Sequence, residues 1–101
     1  CGYGDAVIGY EALSNVLDIM INRDKKPAAI VCINTAVMLL GMDSPLLPRF
    51  KKLEEQGVEI MAGRMCVNEC GLTDSLGSGT IRTLTEIMEF LLLPGVDVIS
   101  L

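Results

Sequence analysis

The stretch AAIVCI, residues 28–33, decides the fold. It is an unbroken apolar run with β-branched residues, too short for a helix that must bury one face. Such a run predicts a strand covered on both sides, which is the position of an interior strand in a parallel sheet. Upstream, Lys25, Lys26 and Pro27 close a segment in which Ile8, Leu13, Val16, Leu17 and Met20 recur at helical spacing, with Asp5 as its expected N-cap. Downstream, NTAVMLLG (34–41) reads as a short helix or turn stopped by Gly41.

The remaining elements follow the same alternation. DSPLLPRFKKLEEQG (43–57) predicts a helix with Ser44 as cap, Pro45 first and Gly57 last, turning Leu46, Phe50 and Leu53 inward; Pro48 is its blemish. VEIMA (58–62) predicts the next strand, and a long loop then runs to Gly79. Thr83 and Glu86 form a capping-box pattern ahead of TLTEIMEFLLL, Pro94-Gly95 turns the chain, and VDVISL (96–101) reads as a last strand. The order helix, strand, helix, strand, loop, helix, strand points to one α/β domain over residues 1–101, a three-layer α/β/α sandwich on a mainly parallel sheet. AAIVCI, VEIMA and VDVISL are expected as parallel neighbours or near neighbours. A doubly wound domain normally starts with a strand, whereas this chain starts in a glycine turn with Cys1. A strand ahead of CGYGD is therefore expected to be missing, leaving a gap in the sheet or a borrowed strand.

Composition narrows the functions. The chain has 101 residues, half of them hydrophobic, and a net charge of −5. Its apolar runs are broken early, by Asn34 and Thr35 or by Pro94 and Asp97, so none reads as a membrane span. The basic residues are scattered, Trp is absent, and no stacking platform for bases is visible, which argues against nucleic acid as a partner. Cysteines at 1, 32, 66 and 70 are too irregular for a secreted disulfide framework, and a reducing, cytoplasmic setting is expected.

GRMCVNECGL (63–72) carries the candidate chemistry, because Cys66 and Cys70 share a polar loop leaving a strand end, where this architecture places its sites. A metal site is not expected: the chain has no His, and Cys66-x3-Cys70 has no second pair. A reversible Cys66–Cys70 disulfide stays open, although redox pairs usually sit closer. If CVNEC is a short helix, Cys66 lies near its start, where backbone donors and the helix dipole, with Arg64, would favour an anionic sulfur. The competing reading makes Cys66 a small hydrophobe in a turn. Cys32 reads as core. GYGDAVIG lacks the third glycine of a dinucleotide fingerprint, because Val7 holds that place, and reads as a turn. GLTDSLGSGT has no Walker lysine, and its glycines mark tight turns or a mobile loop.

The segment from Ser44 to Leu91 resembles the DsrE/DsrF-like sulfur-relay proteins, and most nearly the C-terminal domain of the YedF group, named for sulfurtransferase-like selenium metabolism. The resemblance rests on the order and spacing of Gly57-Val58-Glu59-Ile60, Cys66, Gly71-Leu72, Asp74, Leu76 and Gly79. It implies a sulfur relay in which Cys66 carries sulfur as a persulfide, Arg64 and the loop residues Gly63, Val67 and Asn68 support the anion, and Cys70 resolves or protects it. Donor and acceptor proteins or small thiols would be the partners. A homo-oligomer, trimer or hexamer, is implied, and no cofactor. Related loops often carry C-x-x-C; Gly63 stands at the first of those places and Cys66 at the second. The alternative is a non-catalytic module of the same fold that binds a small ligand or a protein. Met38, Leu39, Leu40, Met42, Met61 and Met65 are the candidates for an apolar contact surface.

Overall fold

The computed structural model describes residues 6–101, with side chains from Tyr10 onward. The glycine turn, the Asp5 cap, Cys1 and the side chain of Ile8 lie outside the described residues. Helix α1 (Ala6–Ile21) leads to strand β1 (Ala29–Cys32), a 3₁₀ segment (Asn34–Leu40) and helix α2 (Leu47–Glu55). Strand β2 (Glu59–Gly63), helix α3 (Arg64–Glu69), strand β3 (Thr80–Arg82), helix α4 (Leu84–Leu91) and strand β4 (Val98–Ser100) complete the chain.

The four strands form one parallel sheet in the order β3-β2-β1-β4. AIVC is fully buried at its centre, as an apolar run without alternation requires. Ile30 pairs with Ile60 on one side and Ile99 on the other, so the three expected strands are direct neighbours. The expected gap is not found: β1 bonds to both β2 and β4 without an interruption among the described strands.

Strand alternation sends Ile30, Cys32, Ile60 and Ala62 to one face, where Leu13, Leu17, Val37, Leu40, Phe50, Leu53 and Val67 from the helices complete the main core. Ala29, Val31 and Met61 face the other way, under Ile87 and Phe90 of α4. These are the three layers. The chain steps from β1 to β2 to β3 with its helices on the first face, then returns to β4 through α4 on the opposite face, as crossovers of a single hand require. Full burial of Phe50 contributes roughly 2–3 kcal/mol, and truncation to alanine would cost about 3–5 kcal/mol through the cavity it leaves.

Local chemistry explains where the elements begin. Helix α2 starts at Leu47 rather than behind Ser44, because Ser44 forms a turn of its own in which its Oγ accepts from the Leu46 N–H at 3.2 Å. Pro48 therefore falls within the first two helical positions, where a missing N–H costs no ladder bond, so it is a start signal. Thr83 and Glu86 make the full capping box at α4. Val16, expected inward, is exposed on α1.

The GLTDSLGSGT segment is a braced connection. Gly77 donates to the Leu40 carbonyl at 2.8 Å, and Met42 donates to that of Ser75 at 2.9 Å. The Glu54 carboxylate accepts from the buried Ser78 hydroxyl and from the Gly79 N–H. That bracing delivers Thr80–Arg82 to the edge of β2 as a strand, which the sequence pattern does not announce.

Candidate functional site

Parallel pairing brings the carboxyl ends of β1, β2 and β3 to one edge of the sheet, and Asn34 and Cys66 follow the first two of them. Cys32 and Ala62 are partners in register, so the residues that follow them emerge side by side. After β1 comes Asn34, with φ 53°, a left-handed conformation that asparagine tolerates better than most residues. After β2 comes α3, which places Cys66 in its first turn.

The backbone N–H of Asn34, at this turn, points at Sγ of Cys66, 3.0 Å away. Beneath the sulfur lies Gly63. A Cβ at this position would stand 3.4 Å from Sγ, 3.5 Å from Cγ2 of Ile33 and 3.6 Å from Cδ2 of Leu84. These are ordinary contact distances, so the Cys66 sulfur, Ile33 and Leu84 all approach this strand end without excluding a Cβ. Cys66 is half-buried and its thiol is free. A partly accessible thiol with a backbone donor directed at it suits a nucleophile, because the donor stabilises negative charge developing on sulfur.

The other expected site residues take different places. Val67 is fully buried in the main core, so its side chain is structural. The N–H groups of Val67 and Asn68 lie in the i to i−4 ladder of α3, and the donor to sulfur comes from Asn34 instead. Asn68 uses its side-chain oxygen to accept from the Thr73 hydroxyl at 2.8 Å, fixing the turn after α3. Cys70 ends α3 one turn beyond Cys66; its N–H donates to the Cys66 carbonyl at 3.0 Å, and both thiols are free. Arg64 is exposed and lines an open cleft of about 380 Å³ with Met65, Asn68, Thr83, Leu84 and Thr85.

Cys32, by contrast, is core. Burial pushes its thiol up from 9.0 to about 12, so it stays neutral and unreactive at ordinary pH. Among the described residues no three His, Cys, Asp or Glu side chains come together to hold a metal ion. Nor is any helix among them long and apolar enough to cross a membrane.

Sequence reasoning missed Asn34 as the donor to the sulfur, and Ile33 and Leu84 as neighbours of Gly63. A single signal was available for the first: an asparagine directly after an apolar strand is a common way to enter the left-handed region. Nothing local links Asn34 to a thiol far along the chain; only the β1–β2 pairing does so.

No protein-family model matches the chain, and no curated protein matches it.

Proposed function

We propose that the protein is a sulfur carrier of the DsrE-like kind, holding sulfur on Cys66 as a persulfide. The observation that carries this reading is the Asn34 N–H directed at Sγ of Cys66. A carrier cysteine needs a site that favours anionic sulfur in two states, thiolate and perthiolate, and remains open to a donor and an acceptor in turn. A half-buried thiol at the carboxyl edge of a parallel sheet, beside a fixed backbone donor, answers these needs.

The chemistry is exchange without net oxidation. The Cys66 thiolate attacks the outer sulfur of a donor R–S–SH; the new S–S bond forms as the old one breaks, giving Cys66–S–SH and RS⁻. An acceptor thiolate then takes the outer sulfur by the same displacement and returns Cys66 as thiolate. In this reading Cys70, one helical turn beyond Cys66, is the thiol that resolves or protects the persulfide. The partners of this reading are donor and acceptor thiols, on small molecules or proteins, in a reducing cytoplasmic setting. Sulfur and selenium chemistry share these requirements.

The same reading takes the chain as a homo-oligomer, trimer or hexamer. Met38, Met42 and Met65 are exposed, whereas Leu39, Leu40 and Met61, expected with them, are buried in the core. The exposed apolar share extends instead to Met88 and Leu91–Leu93 at the end of α4. Sedimentation equilibrium tests assembly; a monomer at micromolar concentration removes it.

Intact mass after incubation with polysulfide tests the carrier. One added sulfur is expected on the wild type and on Cys70→Ser, and none on Cys66→Ser. An adduct that persists in Cys66→Ser sinks the assignment.

A further inference from the structure

Helix α4 carries a second patterned face besides the one it buries. Glu86, Glu89, Phe90 and Leu93 stand at the i, i+3, i+4, i+7 spacing that shares one side of a helix, and the Leu93 N–H, donating to the Phe90 carbonyl at 3.2 Å, continues the coil past its last residue. With Glu59 and Met61 of β2 and Arg82 of β3, these residues line a cleft of about 340 Å³. Its lining divides by chemistry. Met61 is buried, Phe90 half-buried and Leu93 exposed, while three carboxylates face a single guanidinium, which leaves the cleft negative. Arg82 meets Glu59 at 2.8 Å and Glu86 at 3.8 Å, each through a terminal nitrogen, and its buried Nε has no acceptor among the described residues. Neither acid is therefore held by the two-point contact that a guanidinium can make, and Glu59 keeps lone pairs for another donor. Glu86 accepts from the N–H and hydroxyl of Thr83, bonds that hold its carboxyl below the usual range. Glu89 is exposed and forms no ion pair among the described residues.

We infer that this cleft docks a partner protein through a lysine or arginine flanked by apolar residues. The cationic head meets the unpaired Glu89 and the open lone pairs of Glu59. Its aliphatic stem lies along Leu93 and the Phe90 ring, whose face adds a cation–π contact. The apolar flank of the partner covers the rest of Leu93. A small polyamine would satisfy the acids and leave this leucine bare, so the mixed lining fits a protein segment better. A second copy seated here about a two-fold axis would oppose Glu86 and Glu89 to their own counterparts, so the charge pattern favours a different chain. The net charge of −5 adds attraction for a basic partner at longer range. Leu84, Met88 and Leu91 are exposed on another flank of α4 and stay free for contact between copies. The inference does not depend on the chemistry of Cys66.

Fluorescence anisotropy with two short labelled peptides tests this, one alternating arginine with leucine and the other arginine with glycine. The proteins are the wild type, Glu89→Gln, Leu93→Ser and Glu11→Gln. Glu11 is exposed on α1, away from the cleft, so Glu11→Gln makes the same change in net charge elsewhere. All three substitutions fall on exposed side chains, and folding is retained. The arginine–leucine peptide should bind the wild type and Glu11→Gln alike, within about twofold. Its affinity should fall roughly threefold in Glu89→Gln, the size of one exposed charge pair, and roughly three- to fivefold in Leu93→Ser. The arginine–glycine peptide should bind more weakly and ignore Leu93→Ser. Equal weakening by Glu11→Gln and Glu89→Gln would reduce the binding to general attraction and overturn the site. So would an arginine–leucine peptide that fails to bind or is indifferent to Leu93→Ser. Self-association of the wild type that Glu89→Gln abolishes would give the cleft to a second copy and overturn the inference as well.

Discussion

The backbone N–H of Asn34 donates to Sγ of Cys66 at 3.0 Å, across the ends of two paired strands. The contact is made by the backbone of Asn34 and not by its side chain, at a residue whose left-handed φ of 53° turns the chain into the 3₁₀ segment. Asn34→Gly keeps this conformation accessible, whereas Asn34→Val, β-branched, resists it. Site-resolved iodoacetamide labelling should find Cys66 in Asn34→Gly within about twofold of wild type. In Asn34→Val the rate should fall roughly three- to tenfold, the equivalent of one net hydrogen bond. Equal rates in both variants would detach the reactivity of Cys66 from this donor.

Cys32 supplies a pH dependence with a definite sign. Its folded value, about 12, lies above the ordinary 9.0 because burial disfavours the thiolate. Below the ordinary value both states keep the proton, and the stabilising effect of the neutral buried thiol is fully present. As pH rises through the window between the two values, only the unfolded chain ionises, so stability falls. The loss reaches on the order of 4 kcal/mol across that window. Urea midpoints at about pH 8 and about pH 11, for wild type and Cys32→Ala, check it. The wild type should lose more stability on going to high pH than the variant; parallel losses would mean that Cys32 ionises without unfolding.

The elements legible in the sequence are those whose signals are local. AAIVCI has no alternation because both its faces are covered, and Thr83 and Glu86 bond to each other three residues apart. Strand β3 was illegible because Thr80–Arg82 has no apolar pattern of its own; its pairing with Met61, Ala62 and Gly63 makes it a strand. In the 3₁₀ segment Met38 points out while Val37, Leu39 and Leu40 are buried, a division that a uniformly apolar stretch does not announce. At the site, Cys66 and Gly63 stood out by type and spacing. The donor to sulfur did not, because Asn34 reaches Cys66 through the register of β1 on β2.

Gly79 and Gly71 both have positive φ, at 90° and 68°, but only Gly79 is crowded. A Cβ there would lie 3.1 Å from Cδ1 of Leu40 and 3.3 Å from Cγ2 of Ile60, both in the main core, while one at Gly71 would meet nothing within 4 Å. Gly79→Ala should therefore cost about 2–4 kcal/mol, backbone strain and overpacking together. Gly71→Ala should cost only about 1–2 kcal/mol of backbone strain. Chemical denaturation of the two variants measures the difference; an equal cost would show that the packing at Leu40 and Ile60 yields freely.

Gly63 lies against the Cys66 sulfur, and its geometry allows a second thiol to be placed there. Its backbone, φ −64° and ψ 124°, suits any residue, so substitution brings no conformational strain. A Cβ there would sit 3.4 Å from the Cys66 sulfur, with Ile33 and Leu84 at ordinary contact distances. A disulfide holds its two Cβ atoms about 3.5–4.5 Å apart, and a thiol added at this position reaches the Cys66 sulfur by a side-chain rotation. Gly63→Cys should form a disulfide to Cys66 under mild oxidation, while Cys70 stays reduced. Peptide mapping without reductant would find the cross-link, and iodoacetamide would no longer label Cys66 until reductant is added. Pairing of Cys66 with Cys70 in the variant, or full labelling of Cys66 after oxidation, would place the sulfur away from Gly63 and contradict the geometry on which the carrier site is built.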